Sequence, residues 1–269
     1  MTANPTTPCA TELCRLCNGK LAEQFTLRVL NKYDVVYSKC MHCNSLQTER
    51  PYWLGEAYQS NLTLLDTGVA QRNLANLAAT YPVSRILRLR DLIDYGGGDG
   101  LLCRLLRDYG LNCFANDKYA TASYSRGFCA PNFERPELLL AFEVIEHFEN
   151  PLSDLDELFE LNADAIFAST GIYSNQGSDW WYLTPETGQH VFFYSRQAFH
   201  LIAEKYGYEV VIHGNYALFL KANSTSRPKR LLLRMMLNKV AIRLSGAAIR
   251  LLPAKGVWAD FYNLRRRKP

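Results

Sequence analysis

The sequence IDYGGGDG, at residues 93–100, decides the fold of this chain. Apolar residues from Ile86 onward precede it, and a helical pattern of leucines follows it until Gly110. This order predicts a buried strand, then a glycine turn, then a helix. Glycine has no Cβ, so the backbone at the turn can bend tightly and approach a ligand closely. The free N–H groups at the start of the following helix favour an anionic group there.

A spaced acidic residue follows the helix. The segment 113–115 has the apolar character of a short strand, and Asp117 comes after it, 23 residues beyond Asp94. That distance is close to the ~20 residues expected for an acid that accepts ribose hydroxyls. The turn has neither the G-x-G-x-x-G spacing of a dinucleotide site nor the Lys-Ser/Thr of a phosphate loop. The competing interpretation is a glycine-rich loop that joins two ordinary elements.

An acid two residues before G-x-G-x-G resembles motif I of class I S-adenosylmethionine (SAM) methyltransferases. The resemblance implies that the turn lies behind the methionine part of SAM and that the acid after the second strand holds the ribose. The cofactor-binding residues implied in this part of the chain are Asp94, Gly96, Gly97, Gly98, Asp117 and Lys118.

A second motif follows the next buried strand. The continuous apolar run 138–142 is typical of a parallel strand, and ligands in open α/β sheets lie at the carboxyl ends of such strands. The residues that follow, EVIEHFENP at 143–151, resemble the segment after strand 4 of the same methyltransferases. The resemblance adds Phe142, Glu143 and His147 to the cofactor site, with Glu143 beside the methionine group. For His147 the competing role is to cap or pack the next helix.

One feature expected from that family is missing. No acid follows the presumed third strand near Phe128, where many relatives bind the adenine amine. Asn132 or backbone groups are the candidates for adenine contacts instead. The resemblance therefore leaves the adenine contacts undefined.

The two motifs together imply an α/β fold with a Rossmann-like, seven-stranded, mostly parallel sheet and helices on both faces. The 269 residues leave room for that domain and small additions. We expect a zinc-ribbon-like module at 1–52, a SAM methyltransferase domain with a helical cap at 53–222, and a basic helical tail at 223–269. In the cap, Arg72 and Asn73 either touch substrate or form a solvated helix face.

Paired cysteines mark the N-terminal module. Two C-x2-C pairs are separated by 22 residues, and four thiolates suit a closed tetrahedral Zn²⁺ site that has no open catalytic position. The segments 25–30 and 34–38 between the pairs predict a hairpin. A module this short cannot build its own hydrophobic core. A bound metal would therefore supply folding free energy. The predicted ligands are Cys14, Cys17, Cys40 and Cys43, and the competing interpretation is four unrelated reduced thiols.

Aromatic and polar residues crowd the segment 179–195. Its aromatic run either stacks on a substrate or caps the fifth strand. The stretch GQHVFFYS at 188–195 resembles a loop of methyltransferases that carry an N-terminal cysteine ribbon, including sugar methyltransferases of glycan pathways. That resemblance implies that His190 lies near the transferred methyl group. We therefore predict His190 as the general base, because a neutral imidazole accepts a hydroxyl proton, with Tyr194 and Glu186 orienting it or the substrate.

Charge is distributed unevenly along the chain. Residues 227–269 contain 12 Lys or Arg and one acid, a net charge of +11, whereas the rest holds 18 basic and 25 acidic residues, a net charge of −7. A basic amphipathic tail has three alternatives: it packs on the acidic body, joins two copies in a homodimer, or lies on an anionic membrane surface. Of these we favour packing on the body over membrane contact.

Two absences bear on the compartment. No uncharged run reaches the ~18 residues needed to span a bilayer, and residues 1–8 lack the apolar core of a signal peptide. We expect a cytoplasmic protein, with peripheral contact at the inner membrane face as the alternative for the tail. The eight cysteines are then expected to be thiols or metal ligands rather than disulfides.

The resemblance implies a SAM-dependent methyltransferase that acts on an oxygen, or a carbon, of a small molecule, sugar or glycan. Such chemistry is an in-line attack on the sulfonium methyl group, so the protein supplies positioning and a base. The alternatives are an RNA methyltransferase and a non-catalytic SAM-binding protein. Nucleic acid is disfavoured because the body is acidic, whereas phosphate contacts need a basic surface.

Overall fold

The computed structural model describes residues 13–59 and 66–267. In chain order the strands are β1 (Leu21–Val29), β2 (Tyr33–Cys40), β3 (Leu46–Thr48), β4 (Asp91–Tyr95), β5 (Asn112–Asn116), β6 (Leu138–Phe142), β7 (Ala165–Ser169), β8 (Phe192–Phe193), β9 (Tyr208–His213) and β10 (Tyr216–Lys221). The helices are α1 (Leu54–Ala57), α2 (Val69–Leu87), α3 (Leu101–Asp108), α4 (Pro151–Glu160), α5 (Arg196–Tyr206), α6 (Arg227–Met236), α7 (Lys239–Arg250) and α8 (Lys255–Arg267). Part of the predicted cap, at 60–65, and Cys9 lie outside the described residues.

The central sheet has six strands within the described ranges, in the order β5-β4-β6-β7-β10-β9. Strands β4 to β7 run parallel, and β10 runs antiparallel to both of its neighbours. The mostly parallel α/β sheet is confirmed, but six strands stand where seven were predicted. Near Phe128, where a further strand was expected, the backbone N–H of Ala115 donates to the Phe128 carbonyl at 2.9 Å. The described residues around it form no ladder of additional hydrogen bonds. Pro131 and Pro136 lack the N–H donor that a further strand would need.

Helices cover both faces of the central sheet, as predicted. On one face, α4 and α5 pack against side chains such as Leu139 and Ile166. On the other face, α2, α3, α6 and α7 pack against the alternate side chains, such as Leu140 and Phe167. Because side chains alternate between the two faces of a strand, a strand covered on both faces is apolar throughout. The uninterrupted apolar run of β6 follows from that position.

One boundary differs from the sequence-based expectation. Helix α2 continues to Leu87 and ends at Arg88, whose φ of +63° is left-handed. The apolar residue Ile86 therefore belongs to the end of this helix, where it packs in the core shared with α3. The buried strand of the prediction begins later, at Asp91.

The cysteine-containing segment forms a second, four-stranded sheet with the order β1-β2-β3-β8. Its antiparallel β1 and β2 confirm the predicted hairpin. The fourth strand, β8, comes from the predicted substrate segment and pairs with β3. Cys40 and Cys43 are buried in the same core as Phe192 and Tyr194. The boundary predicted at residue 52 therefore divides segments that share one sheet and one core.

The basic tail packs on the face of the central sheet that α2 and α3 cover. Leu233 of α6 and Ile249 of α7 are buried in this layer. Helix α8 is held on α3 by Asp260, which accepts hydrogen bonds from Arg107 at 2.6 and 2.7 Å and from Arg104 at 2.7 Å. Within the described ranges, no helix combines the length and apolar character that crossing a membrane requires.

Candidate functional site

The glycine turn joins the carboxyl end of β4 to the start of α3. Gly96, Gly98 and Gly100 have left-handed φ angles of +65°, +54° and +76°, which L side chains rarely adopt. A Cβ on Gly97 would lie 2.6 Å from a carboxylate oxygen of Asp94. Backbone conformation and available space therefore both require glycine at this turn, at the positions that the sequence motif predicts.

Asp94, at the end of β4, is a buried carboxyl group, 3 % exposed. Its Oδ2 atom has no hydrogen-bond partner among the described residues. Burial, and to a lesser extent the charge of Asp117, raises the pKa of Asp94 to about 7. A buried carboxylate oxygen without a partner is unfavourable, so a ligand that brings a hydrogen-bond donor or a positive charge would stabilise this site.

Asp117 follows β5 and reaches across to the glycine turn. Its Oδ2 atom accepts a hydrogen bond from the Gly98 N–H at 2.9 Å, and its Oδ1 atom accepts from the N–H of Tyr119 and of Ala120. The predicted pair of acidic residues is thus brought to the same edge of the sheet. Lys118 points elsewhere, since its Nζ atom forms an exposed ion pair with Glu157 at 2.9 Å.

The structure contradicts the adenine role considered for Asn132. The side-chain amide of Asn112 donates both to the Asn132 side chain at 3.1 Å and to Asp91 at 2.8 Å. Asn112 and Asp91 are the first residues of β5 and β4. Asn132 therefore lies at the amino ends of the strands, opposite the glycine turn, because a parallel sheet has its two ends on opposite edges.

Glu143 begins the second group of polar residues, at the carboxyl end of β6. Its φ of +55° is left-handed, an uncommon conformation for a residue with a side chain and one that is often found at functional sites. The Glu143 carboxylate accepts from the Ser169 hydroxyl at 2.8 Å and lies 3.0 Å from the Tyr182 hydroxyl oxygen. The next residue, Val144, touches the glycine turn, since a Cβ on Gly96 would lie 2.7 Å from it.

Tyr182 connects the carboxyl group of Glu146, which is buried, to that of Glu143, which is half-buried. Its hydroxyl oxygen lies 2.5 Å from Glu146 and 3.0 Å from Glu143. A single hydroxyl proton cannot be donated to both, so one carboxyl group must donate in return. Burial raises the pKa of Glu143 and that of Glu146 to about 7 each, which allows this sharing near neutral pH. The second oxygen of Glu146 has no partner within the described part of the chain.

Two histidines face one another beside this pair. The Nδ1 atom of His190 lies 2.7 Å from the Tyr182 carbonyl oxygen, and that of His147 lies 3.0 Å from the Gln189 carbonyl oxygen. A carbonyl oxygen can only accept, so each Nδ1 atom carries the proton. The Nε2 atom of each neutral ring then carries a lone pair that can accept a proton. The ring centroids are 4.9 Å apart.

Burial keeps both imidazoles neutral. It lowers the pKa of His190 to about 3, with a smaller contribution from the adjacent His147, and it also lowers the pKa of His147. A histidine that is neutral at pH 7 can accept a proton. The predicted base therefore has the protonation state that its role requires.

The same groups have the arrangement of a metal site. Ligand atoms of Glu146, His147 and His190 all lie within 4.8 Å of one another. Two imidazole nitrogens and a carboxylate oxygen are a donor set that divalent transition metals accept. Because the Nδ1 atoms donate to backbone carbonyls, the ring orientations are already fixed, as is usual for metal-binding histidines.

Two further residues enclose this site. The Tyr58 hydroxyl lies 2.9 Å from His147 Nδ1, and its ring stacks on that of Tyr119, with a centroid distance of 5.9 Å. Tyr119 stands two residues after Asp117, so the two stacked tyrosines connect the glycine-turn side of the site to the histidine side. Arg72, on α2, is bound to Asp66 at 2.7 Å, and its charge also acts on Glu143.

Several predicted residues lie away from His190. Tyr194 is buried in the core, where its ring packs against Phe192 and Phe199. Glu186 is exposed and has no hydrogen bond to His190 among the described residues. Phe142 packs on Phe167 on the opposite side of the sheet from α4. The structure therefore does not bring Tyr194 or Glu186 to the predicted base.

The residues that the sequence-based reasoning left without a role are Tyr58, Glu146 and Tyr182. Glu146 stands three residues after Glu143 in the motif after β6, so that spacing was a usable signal. Tyr182 lies in the aromatic run, and nothing local distinguishes it from its neighbours. Tyr58 precedes its partner His147 by 89 residues, and no sequence pattern joins them.

The four predicted cysteine ligands do come together. The Sγ atoms of Cys14 and Cys43 are 3.7 Å apart, those of Cys17 and Cys40 are 3.5 Å apart, and all four lie within 4.8 Å of one another. A disulfide would need about 2.05 Å, whereas four thiolates at ~2.3 Å from one Zn²⁺ lie about 3.8 Å apart. The spacing therefore fits a tetrahedral metal.

The backbone around the cysteine cluster is shaped to suit it. Asn18 and Asn44, which follow the second cysteine of each pair, have left-handed φ angles of +56° and +59°. The N–H groups of His42 and Cys43 approach Cys40 Sγ at 3.3 and 3.4 Å. Hydrogen bonds of this kind favour the thiolate form that binds a metal.

Arg15 links the cysteine cluster to the segment that carries His190. Lying between two cluster cysteines in sequence, it donates to the Val191 carbonyl at 2.6 Å, to the Thr48 carbonyl at 3.1 Å and to the Glu149 carbonyl at 2.9 Å. Ser195 adds a hydrogen bond to the Cys43 carbonyl. The cysteine cluster therefore braces the strand directly after His190.

The profile of a methyltransferase domain matches residues 58–213, more than half of the chain. The fold is similar to the methyltransferase domain of a bacterial Hen1, with 20 % identity over 56 % of this chain and 98 % of that one, at a TM-score of 0.42. It is also similar to magnesium protoporphyrin IX methyltransferase of Synechocystis PCC 6803, with 14 % identity over 64 % and 98 % and a TM-score of 0.45. The 1,6-didemethyltoxoflavin-N1-methyltransferase of Burkholderia thailandensis shares 12 % identity over 70 % of this chain and 96 % of that one, with a TM-score of 0.44. No curated protein matches the sequence.

Proposed function

The chain belongs to the methyltransferase-domain family, and we propose that it moves the methyl group of SAM to a hydroxyl oxygen of a small molecule or sugar. The observation that carries this proposal is the neutral His190, which has its Nδ1 proton fixed on the Tyr182 carbonyl. Its Nε2 atom is thereby left as a proton acceptor beside the carboxyl ends of the strands. Ligands of open α/β sheets bind at that edge.

The glycine turn and its two acids would hold SAM. The turn admits close approach of the methionine part, and Asp117, already placed at the turn through Gly98, would accept the ribose hydroxyls. Asp94, which is buried, and Glu143, which is half-buried, would bring two carboxyl groups near the sulfonium. The positive charge of the donor would lower the raised pKa of each, since an opposite charge favours ionisation.

In the transfer step, a lone pair of the acceptor oxygen attacks the methyl carbon. The bond between that carbon and sulfur breaks, sulfur keeps the electron pair, and S-adenosylhomocysteine leaves. The hydroxyl proton passes to His190 Nε2. Glu146 lies within 4.8 Å of His190, so its carboxylate would stabilise the imidazolium that forms, which compensates for the low pKa of the resting histidine.

The same geometry supports a second role for this cluster. Glu146, His147 and His190 would hold a divalent cation, and a cation there lowers the pKa of a bound hydroxyl and orients the acceptor. An acceptor with two adjacent oxygens would suit such a site. The role of His190 would then be that of a ligand, and titration of metal into the His147→Ala variant distinguishes the two cases. If the unaltered protein binds Mn²⁺ and the variant does not, the result would favour the cation-binding role.

The cysteine cluster would hold a structural Zn²⁺. Four cysteines complete a tetrahedral shell, which leaves no position for a substrate or water. Its contribution to the reaction would be indirect, through Arg15 and the pairing of β3 with β8 next to His190. Zinc content measured on the purified protein tests this directly, and a value near zero in folded protein would contradict it.

The proposed activity is tested with SAM that carries a labelled methyl group. Purified protein is incubated with small-molecule and glycan fractions of a cell extract, and methylated products are identified by mass spectrometry. We expect label in a hydroxyl-bearing metabolite or glycan, lost with His190→Gln and kept with the exposed control His200→Gln. Label in RNA would favour the RNA alternative, and SAM binding without transfer to any fraction would favour a non-catalytic role.

A further inference from the structure

The outer surface of the tail is rich in exposed apolar side chains. Of the 18 large hydrophobic residues that are exposed within the described ranges, 11 lie in the tail. Leu251 is 87 % exposed, Leu244 is 66 % exposed and Trp258 is 61 % exposed. Single exposed apolar residues are ordinary, but a concentration of them marks an interaction surface.

Helix α7 is apolar on two opposite sides. Its buried side, with Ile242 and Ile249, packs on the body. Its outer side consists of Val240, Leu244 and Leu251, all exposed. Steps of four and seven residues place these on one side of a helix with 3.6 residues per turn. A basic stripe lies beside them, formed by Lys239, Arg243 and Arg250.

Helix α8 presents an aromatic cluster to solvent. Trp258, Phe261 and Tyr262 pack on one another and are each at least half exposed. On the other side of the helix, Asp260 is bound by two arginines of α3. A Cβ on Gly256 would overlap the backbone of α3. The helix is therefore held closely to the body while its aromatic residues point away from it.

The charges that accompany these apolar residues are of one sign. Asp260 is the single acid after residue 226, and it is 7 % exposed and paired. Arg230 is paired with Glu209. The remaining exposed basic residues of the described tail are Arg227, Lys229, Arg234, Lys239, Arg243, Arg250, Lys255, Arg265 and Arg266. No exposed acid balances them in this part of the described chain.

We propose that the outer surface of α6, α7 and α8, here called the tail surface, binds the surface of an anionic lipid bilayer. Aliphatic and aromatic side chains would enter the boundary between headgroups and acyl chains, and Lys and Arg would remain with the anionic headgroups. Each basic residue near such a surface contributes favourably, and the effect falls off within a Debye length. The protein would lie on the membrane and not span it.

The composition of the tail surface distinguishes this partner from two others. A second copy of the chain would bring nine exposed cations against nine of the same sign, which repel one another. RNA would be attracted by the charge, and the aromatic cluster of α8 could stack on bases. Val240, Leu244 and Leu251, however, could neither stack on bases nor donate to phosphates. An anionic bilayer matches both the charge and the apolar character.

Flotation of the full-length protein with lipid vesicles tests the proposal. We expect the protein to float with vesicles that contain phosphatidylglycerol and to stay behind with vesicles of phosphatidylcholine alone. The double variant Leu244→Glu/Trp258→Glu should reduce the bound fraction at least about tenfold, since two apolar side chains lose their burial in lipid. The control Tyr52→Glu changes an aromatic residue of similar exposure, 64 %, outside the tail, and should bind as the unaltered protein does.

Three results would overturn the proposal. One is equal flotation with anionic and neutral vesicles, which would show that the basic residues play no part. Another is binding to anionic vesicles that the double variant retains. The third is a dimer in light scattering that the double variant converts to a monomer, because the tail surface would then be an interface between copies. Thermal unfolding of the double variant close to that of the unaltered protein confirms that the change acts at the surface.

Discussion

The two halves of the candidate site are built in different ways. The donor half consists of the glycine turn, Asp94 and Asp117, which all lie on one strand–turn–helix–strand unit. The acceptor half consists of Tyr58, Glu146, His147, Tyr182 and His190, which come from three separate segments of the chain, and Glu143 lies between the two halves. The first half is formed by backbone conformation, and the second by side chains that tertiary packing brings together.

This difference determines what each half depends on. The donor half needs three left-handed glycines and the space beside Gly97. The acceptor half needs the segment around His190 to be held in place, and that segment is paired with the cysteine-containing sheet through β8 and Arg15. Damage to the cysteine cluster should therefore reach the acceptor half, whereas the donor half belongs to the central sheet. The predictions below exploit this contrast.

The largest effect is expected from the cysteine cluster. The double variant Cys14→Ser/Cys43→Ser removes two of the four proposed metal ligands, and metal binding in small modules of this kind supplies about 10 kcal/mol or more of folding free energy. We expect loss of bound zinc and a collapse of thermal stability, measured by calorimetry and metal analysis. The control Cys129→Ser changes an exposed thiol and should leave both unchanged. Unaltered stability of the double variant would mean that the cluster is not a folding element.

The next largest effect concerns the predicted base. His190→Gln should lower methyl transfer about 100- to 10,000-fold, because the acceptor proton loses its specific acceptor. SAM affinity should stay within about twofold, since His190 lies outside the donor half. Turnover and calorimetric titration on the same preparation separate the two effects. Transfer rates equal to those of His200→Gln would remove His190 from the mechanism.

A pH dependence is expected from Asp94. Burial raises its folded pKa to about 7, above the value of about 4 in an unfolded chain, so the folded state holds the proton more tightly. As far as Asp94 alone is concerned, the SAM-free protein should therefore be most stable below about pH 4. It should lose up to about 4 kcal/mol of unfolding free energy as pH rises through 7. Denaturant unfolding between pH 5 and 8 measures this fall.

Glu143 and Glu146, whose pKa values burial also raises to about 7, lower the stability in the same pH range. The variant Asp94→Asn should therefore remove only the share of the fall that Asp94 contributes, and the exposed Asp179→Asn should leave it as it is. SAM at saturating concentration should also reduce the fall, since its positive charge favours the ionised carboxylate. If the unfolding free energy of Asp94→Asn falls with pH as steeply as that of the unaltered protein, other groups cause the effect.

A smaller effect is expected from the space beside the glycine turn. Gly97→Ala would place a Cβ 2.6 Å from Asp94 Oδ2, so either the turn or the carboxylate must shift. We expect SAM binding to weaken by about ten- to a hundredfold, or about 1–3 kcal/mol. Gly55→Ala is the matched control, since nothing lies within 4 Å of its Cβ position. Equal affinity in both variants would show that the turn does not contact the donor.

The contrast between the halves also explains how far sequence reasoning could reach. The strand–turn–helix unit, β6 and β7 were predictable because glycine, apolar runs and helix stops act locally. The expected third strand near Phe128 did not form: one backbone hydrogen bond joins Phe128 to Ala115, and the segment 131–136 that follows begins and ends with proline. Ile86 was misplaced because an apolar residue at a helix end looks like the start of a strand. These errors are local and concern single boundaries or elements.

The acceptor half was predictable in part. His190 and the residues 143–147 stood in motifs, but their partners are set by contacts between residues far apart in sequence. Tyr194 and Glu186 were grouped with His190 because they are near it in the chain. In the fold, Tyr194 points into the core and Glu186 points to solvent, while the Tyr182 backbone and side chain take up the orienting role.

The most direct test compares SAM binding by calorimetry in three proteins: the unaltered chain, Asp117→Asn and His190→Gln. The account predicts that the unaltered chain and His190→Gln bind SAM with affinities within about twofold, and that Asp117→Asn binds at least about tenfold more weakly, because a carboxylate that accepts ribose hydroxyls is lost. Absence of binding by the unaltered chain, or an equal loss in His190→Gln and Asp117→Asn, would contradict a site made of separate donor and acceptor halves.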